Sequence, residues 1–465
     1  MTSPTYFAPT SHTPAAGLPV VSLTLTPSGE RSSRLAGFYR LPMEDRRRVL
    51  VHQGWLTPAA SDALASHAGY DERAADTMSE NVVGLHSLPL ALGLNFRING
   101  TERIAPMCVE EPSVVAAASN AARLALAGGG FTASTDEPLM IAQVQLLQIA
   151  DAAAATQKLL ANQQMLIEQA NKIIPEMVRR GGGVRGLEVR TLEETPTGAM
   201  LCVHLVVDVR DAMGANLLNT LAEAMAPRMQ GLVGGRIGLR ILSNLADRRK
   251  VRAEVTIPVD ALASEGFAGP DVRDGIVAAS RFAELDVYRA CTHNKGIMNG
   301  VDAVILATGN DWRAVEAGAH AYAARNGRYE PLAVWRATET GDLYGRLELP
   351  LALGTVGGAV RAHPGVRLAL QLAHVDSARD LAELAACVGL ASNLAALKAL
   401  ASTGIQKGHM ALHARSVAAE VGAEGEEIAA VALEMTRHGD YRPERAQIVL
   451  EQLRAGSLIL PPAAV

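Results

Sequence analysis

The strongest constraint on the fold lies between residues 140 and 242. There the spacing of apolar residues switches repeatedly between the two-residue period of a strand and the longer period of a helix. Ala142, Val144 and Leu146 alternate with Gln143 and Gln145, which predicts a strand. Residues 151–179 carry helical spacing, and 187–192 return to alternation. A turn at Pro196, Thr197 and Gly198 leads to an apolar strand over 200–209, a helix over 213–232 and a last strand over 236–242. The order β-α-β-β-α-β is the split βαβ, or ferredoxin-like, arrangement.

That unit is inserted in a larger one. Segments 80–135 and 250–400 mix helical and strand patterns that neither completes alone, so the main domain is expected to be discontinuous, over 34–137 and 249–403, with the inserted unit at 138–248. Residues 1–33 are rich in Thr, Ser and Pro and lack periodicity, which predicts a disordered leader. Over 42–75, apolar positions recur at helical spacing among Glu44, Asp45 and the run Arg46-Arg47-Arg48, which reads as a solvated helix face. Beyond Gly404 and Gly408 the chain reads as helical with charged faces, predicting a small C-terminal domain over 404–465 that can move as a flap. The fold class expected is α+β.

A chain of 465 residues, 49% hydrophobic and 20% charged, exceeds what one core organises, and two or three domains are expected. A net charge of -5 and a pI near 6.2 argue against nucleic acid or an anionic membrane as the main partner. Cys108, Cys202, Cys291 and Cys387 lack the paired spacing of a zinc site and are too few to staple such a chain; they suit a reducing compartment. With no secretory pattern at the N-terminus and no uninterrupted apolar run of about 18 residues, the expected location is the cytoplasm. Aromatic residues are scarce while Ala and Gly are abundant, which suggests closely packed helices and tight turns.

Several motifs bear on chemistry. The run Gly181-Gly182-Gly183-Val184-Arg185-Gly186 has the spacing of a dinucleotide fingerprint, but it follows a helix and precedes a strand, the reverse of what phosphate binding requires, and reads as a turn. Asp211-Ala212-Met213-Gly214-Ala215-Asn216 follows a strand and opens a helix, so its free amides suit a phosphate; a plain helix start capped by Asp211 would look the same. His409 and His413 have metal-ligand spacing, but Met410 stands where a zinc protease carries its base, and no metal is expected. Cys291 beside His293 offers a thiol nucleophile, against the commoner reading of a structural cysteine. Polar clusters at Glu110-Glu111-Pro112-Ser113, Thr292-His293-Asn294-Lys295-Gly296 and Gly309-Asn310-Asp311-Trp312-Arg313 contain a Glu, a Lys and an Asp. If these converged, the Lys would stabilise an oxyanion while the carboxyls exchange protons; ordinary turns and salt bridges are the alternative.

These clusters, together with Glu80-Asn81-Val82-Val83-Gly84 and Gly408-His409-Met410 and in this order, resemble those of 3-hydroxy-3-methylglutaryl-CoA reductases of the soluble, bacterial class II form, over residues 80–418. The resemblance implies reduction of the thioester to mevalonate and CoA with two hydride transfers from NADH or NADPH, or the reverse. It implies that Lys295 stabilises the oxyanion, Glu111 transfers the proton of the mevaldehyde oxygen, Asp311 tunes both, and His409 on the flap protonates the departing CoA thiolate. Ser113, Asn244, Arg289, Thr292 and Asn299 match substrate positions, Arg289 against the free carboxylate. Asp211, Met213, Gly214, Ala215 and Asn216 match the NAD(P) site. By the same resemblance the inserted unit is the cofactor domain, the large domain binds substrate, the working unit is a homodimer, and Arg40 is a CoA contact. A strictly NAD-using relative carries an aspartate before the Gly181 turn, where this chain has Ile174, with Lys172, Arg179 and Arg180 near enough in sequence to accept a 2'-phosphate. The rival readings are a CoA-acylating aldehyde dehydrogenase working through Cys291 and a non-catalytic protein that binds CoA metabolites.

Overall fold

The computed structural model describes residues 31–66, 70–264, 266–402 and 405–457. The leader expected over 1–33 falls almost wholly outside them, as does Gly404.

The described chain opens with α1 (Met43–His52), α2 (Pro58–Ala65) and α3 (Glu72–Met78). Thr57 and Asp71 start the second and third by accepting the amide hydrogens of Ala60 and Ala74. Trp55, wholly buried, gathers Leu35, Phe38, Leu50 and Leu372 into a small core beneath them. A hairpin of β1 (Leu90–Ile98) and β2 (Thr101–Cys108) turns at Asn99-Gly100, both with positive φ, the conformation that Asn-Gly adopts at least cost. Then come α4 (Val114–Ala125) and β3 (Phe131–Thr135).

Here the chain leaves the first sheet and builds a second one. Its elements are β4 (Leu139–Ile149), α5 (Ala152–Ala161), α6 (Gln163–Ile173), α7 (Pro175–Arg179), β5 (Gly183–Thr195), β6 (Gly198–Asp208), α8 (Ala215–Val233) and β7 (Arg236–Leu242). The sheet order is β5-β6-β4-β7, every pair antiparallel, as the β-α-β-β-α-β reading requires. The helix expected over 151–179 is three helices. The chain breaks at Asn162 and again at Ile174, because Pro175 has no amide to donate and its ring excludes a preceding helical turn. Leu201, Val203 and Leu205 pack against Leu218, Leu221 and Met225 to form this unit's own core.

The chain then re-enters the first sheet with β8 (Lys250–Ile257), followed by α9 (Gly269–Leu285), α10 (Val287–Ala307), α11 (Trp312–Ala323), β9 (Ala333–Ala337) and β10 (Leu343–Pro350). The order β2-β1-β3-β8-β10-β9 is completed only by strands from both sides of the insertion, with Phe131 of β3 opposite Val255 of β8. Behind it come α12 (Gly358–Ala362), α13 (Pro364–Ala373) and α14 (Ala378–Ala401). By length and composition α14 would span a membrane, but Asp380, Glu383 and Lys398 interrupt it and 67% of its apolar window is buried inside the protein, as in a core helix. It crosses α10 where Gly300 and Gly389 leave no room for side chains: a Cβ on Gly300 would lie 2.7 Å from the Val388 carbonyl oxygen, and one on Gly389 would lie 2.7 Å from Val301. Last come α15 (Ile405–Glu420), α16 (Glu426–His438) and α17 (Pro443–Arg454), with a separate core of Val417, Val431, Met435 and Val449.

Candidate active site

The helix α10 has two unlike faces. Ala290, His293, Asn294, Ile297, Met298 and Val301 are buried, whereas Tyr288, Thr292, Lys295 and Asn299, spaced four, three and four apart, line one open stripe. A Cβ on Gly296 would touch nothing within 4 Å among the described residues, so they leave space in front of the stripe. Asp286 starts the helix by accepting the Arg289 amide hydrogen at 2.7 Å. The Arg289 guanidinium is half-buried and has no carboxylate partner among the described residues; burial holds its pKa below the usual value. A half-buried, unpaired guanidinium suits an incoming carboxylate.

Glu111 comes to this stripe from the loop between β2 and α4, where Ser113 takes a left-handed backbone (φ 77) and turns the chain into the helix. Lys295 Nζ donates to Glu111 Oε2 at 3.1 Å. The pair stays wet, with the lysine side chain 62% exposed and the glutamate 36%.

Asp311 is held on the neighbouring helix. As N-cap of α11 it accepts the Ala314 amide hydrogen at 3.1 Å, and Arg313 lies 3.7 Å from the same oxygen. Among the described residues it makes no ion pair with Lys295, which is engaged by Glu111 alone. Asn244, on the loop between β7 and β8, presses its carbonyl oxygen against Gly318 of α11, where a Cβ would come within 2.7 Å. His409 belongs to α15, and its side chain lies outside the described residues.

The Asp211–Asn216 turn joins β6 to α8. Gly214, with φ 94, caps the helix in a left-handed conformation, and the amides of the first turn that follow are those a helix leaves without internal partners. That strand-turn-helix setting, with a glycine at the approach, fits a phosphate of a nicotinamide cofactor. Asp211 does not cap α8: its carboxylate accepts the Ala378 amide hydrogen at 2.9 Å and its carbonyl accepts from Thr355. It therefore ties the inserted unit to the start of α14. Met213 and Ala215 are half-buried in the same turn, and Asn216 is exposed.

The segment 354–358 and Arg249 escaped the sequence reading. The segment Gly354-Thr355-Val356-Gly357-Gly358 lies along this turn: Ala212 bridges to Val356, and a Cβ on Gly354 would come 2.7 Å from the Met213 nitrogen. Asn310, beside Asp311, accepts the Gly354 amide hydrogen at 2.7 Å and so connects the Asp311 turn to the Met213 turn. Arg249, buried, clamps the same junction by donating to the carbonyls of Ala212 and Leu353, and burial pushes its guanidinium down to about 10. Three glycines in five residues were the available signal.

Cys291 and His293 do not form a dyad. The thiol is exposed on α10, whereas His293 is buried on the opposite face with Nε2 on the Ala333 carbonyl at 3.1 Å. Ile174 is buried in the core of the inserted unit rather than offered to a ligand, and Arg179 is paired with Glu176. Lys172 and Arg180 are exposed and make no ion pair among the described residues.

The family model described as hydroxymethylglutaryl-coenzyme A reductase matches residues 42–414. A 3-hydroxy-3-methylglutaryl-coenzyme A reductase of Archaeoglobus fulgidus is 46% identical over 424 residues, covering 91% of this chain and 95% of the relative. A probable reductase of the same description from Borreliella burgdorferi is 36% identical over 340 residues, covering 73% and 77%. Among solved structures, 3-hydroxy-3-methylglutaryl-coenzyme A reductase from Streptococcus pneumoniae superposes with a TM-score of 0.77 at 42% identity, covering 90% of this chain and all of that one. The class II enzyme from that organism, bound to NADPH in open conformations, gives 0.76 at 42% identity and covers 79% and 100%.

Proposed function

The chain belongs to the hydroxymethylglutaryl-coenzyme A reductase family, an oxidoreductase family interconverting 3-hydroxy-3-methylglutaryl-CoA with mevalonate and CoA, and from that premise we propose which of its residues carry the reaction. A nicotinamide cofactor supplies hydride in each of two reductions. The observation that carries the assignment is the Lys295–Glu111 pair on the open stripe of α10, nearly two turns from Arg289, which makes no ion pair among the described residues.

Arg289 holds the free carboxylate of the hydroxymethylglutaryl group, with Ser113, Thr292, Asn299 and Asn244 around it. Lys295 points its ammonium at the thioester oxygen, which becomes an alkoxide when hydride reaches the carbonyl carbon. As the carbon–sulfur bond then breaks, the thiolate of CoA takes a proton from His409. Mevaldehyde receives the second hydride at the same carbon, and its oxygen takes a proton from Glu111, already hydrogen-bonded to Lys295. Asp311, on the adjacent helix, approaches the pair when substrate fills the stripe and steadies the charge on Lys295. Asp211, Met213, Gly214, Ala215 and Asn216 bind the cofactor, its phosphates at the start of α8 and Asp211 acting through its tie to Ala378.

The cofactor assigned is NADPH as readily as NADH. Support comes from the 42% identical class II structure bound to NADPH and from Lys172 and Arg180, which are exposed and make no ion pair among the described residues. The working unit is a homodimer. Phe282, Leu285, Val287 and Tyr288, all strongly exposed where α9 meets α10, form the apolar surface that a second copy covers beside the active stripe.

The test is loss of the reduced-nicotinamide absorbance with hydroxymethylglutaryl-CoA and NADH or NADPH in parallel. Substrate-dependent oxidation is expected with both cofactors; folded protein that oxidises neither refutes the assignment.

A further inference from the structure

The stripe of α10 that carries Lys295 does not end at Asn299. Two turns beyond Lys295, on the same side of the helix and roughly 10 Å along its axis, stands Asp302, where α11 closes over the surface. Its Oδ1 is buried without a hydrogen-bond partner among the described residues. The group that meets it is another acid, Glu316, within hydrogen-bond reach on α11 and a little over one turn beyond Asp311. Two carboxylates that face each other, one of them with a buried oxygen, are not both ionised near neutral pH, and one proton lies between them.

The surroundings fix where that proton sits. Glu316 Oε2 lies 2.6 Å from His320 Nε2, and His320 Nδ1 lies 2.7 Å from the Tyr329 hydroxyl, with the two rings stacked. Glu316 is therefore the member with an outside hydrogen-bond partner, and the shared proton stays on Asp302, whose Oδ1 is buried. Burial, then the Glu316 hydrogen bond and charge, push Asp302 up to about 8. The other titratable groups facing the pair are His320 on α11 and Tyr329 before β9, next to Cys291 of α10; Lys295 is engaged by Glu111.

We propose that Asp302 and Glu316 share one proton as a positioning pair, fixing α10 against α11 and so the spacing between Lys295 and Asp311. The inference rests on the roles given to those two residues above. Neither acid touches the reacting atoms. When the shared proton leaves, two like charges face each other across the helix contact, the helices separate, and Asp311 no longer reaches the charge it steadies.

The experiment is the pH profile of kcat and KM from pH 6 to 9.5 for the wild type, Asp302→Asn and Glu316→Gln, with thermal melting across the same range extended to pH 5. An amide keeps the hydrogen bond and cannot lose the proton. The wild-type kcat is expected to fall above about pH 8 by about tenfold per unit, with the KM for hydroxymethylglutaryl-CoA unchanged. Asp302→Asn is expected to keep the neutral-pH kcat within about threefold and to lack that limb. Relative to Asp302→Asn, the wild type should lose melting temperature as pH rises from 5 to 8 and no further above it, because the folded state holds the proton longer than the unfolded chain. Should Asp302→Asn not fold, Glu316→Gln carries the same comparison. An alkaline limb unchanged in both variants overturns the inference, and so does a melting difference without movement of the limb. Wild-type protein that oxidises neither cofactor removes the functional reading and the positioning role with it, while the melting profile still reports the shared proton.

Discussion

Lys295 Nζ donates to Glu111 Oε2 at 3.1 Å, joining positions 184 residues apart in sequence. An ion pair this exposed contributes about 0–1 kcal/mol to stability, so removing it separates a chemical role from a structural one. Lys295→Ala is expected to lower kcat by about 100-fold to 1000-fold, with a melting temperature close to that of the wild type. Steady-state assays beside circular dichroism check this. Near-normal turnover would end the oxyanion assignment.

Gly214 offers a test of whether the turn before α8 is a cofactor site or an ordinary helix start. Its φ of 94 costs an L-residue about 1–2 kcal/mol, and an added Cβ would come 2.8 Å from Val209. Gly214→Ala should therefore lower stability by about that amount and raise the KM for the reduced nicotinamide about tenfold or more, with the KM for hydroxymethylglutaryl-CoA little changed. A loss of stability with both KM values unmoved would make the turn structural only.

The inserted unit was legible because its strands and helices alternate cleanly in period: Val144 between Gln143 and Gln145 announces β4, and the run after Gly198 announces β6. Its helix breaks were harder to read, since Asn162 interrupts a helical pattern without spoiling it. The main sheet was illegible as a sheet because β3 and β8, which pair, are separated by the whole insertion, and periodicity carries no information about partners so far apart. Motifs single out Glu111, Lys295 and Asp311, of which the structure joins the first two, but the Asn310–Gly354 hydrogen bond and the Asp211–Ala378 contact are tertiary and leave no local pattern. The burial of Ile174 is tertiary in the same way: the sequence sets it before the Gly181 turn, and the break before Pro175 turns it into the core.

His293 gives the active helix a sensitivity to acid. It is 1% exposed, its Nδ1 has no partner among the described residues, and burial holds its imidazole down to about 4, against an ordinary value of 6.5. Because the folded value is depressed, this contribution to stability is complete above pH 6.5 and is lost as pH falls toward 4, each unit of depression being worth about 1.4 kcal/mol. Denaturant unfolding at pH 7 and 5 should show the wild type losing more stability on acidification than His293→Phe, which has no proton to bind. Equal losses in the two proteins would mean that His293 protonates inside the fold at little cost.

Cofactor choice follows from where charge can be placed. Ile174 is 6% exposed and packs in the core of the inserted unit, so Ile174→Asp buries a carboxylate with no cation arranged to receive it. The expected result is destabilisation of about 3 kcal/mol or more and poor soluble yield, rather than a switch toward NADH. Lys172 and Arg180 are exposed on either side of that break, and neither is committed to an acid among the described residues. Lys172→Glu with Arg180→Glu should leave the fold intact and lower kcat/KM for NADPH about tenfold or more relative to NADH, because a 2'-phosphate then meets like charge instead of opposite charge. The ratio of the two kcat/KM values, measured in both proteins, decides it. A folded Ile174→Asp protein that prefers NADH would place the ribose beside residue 174 and require the α6–α7 break to open when the cofactor binds.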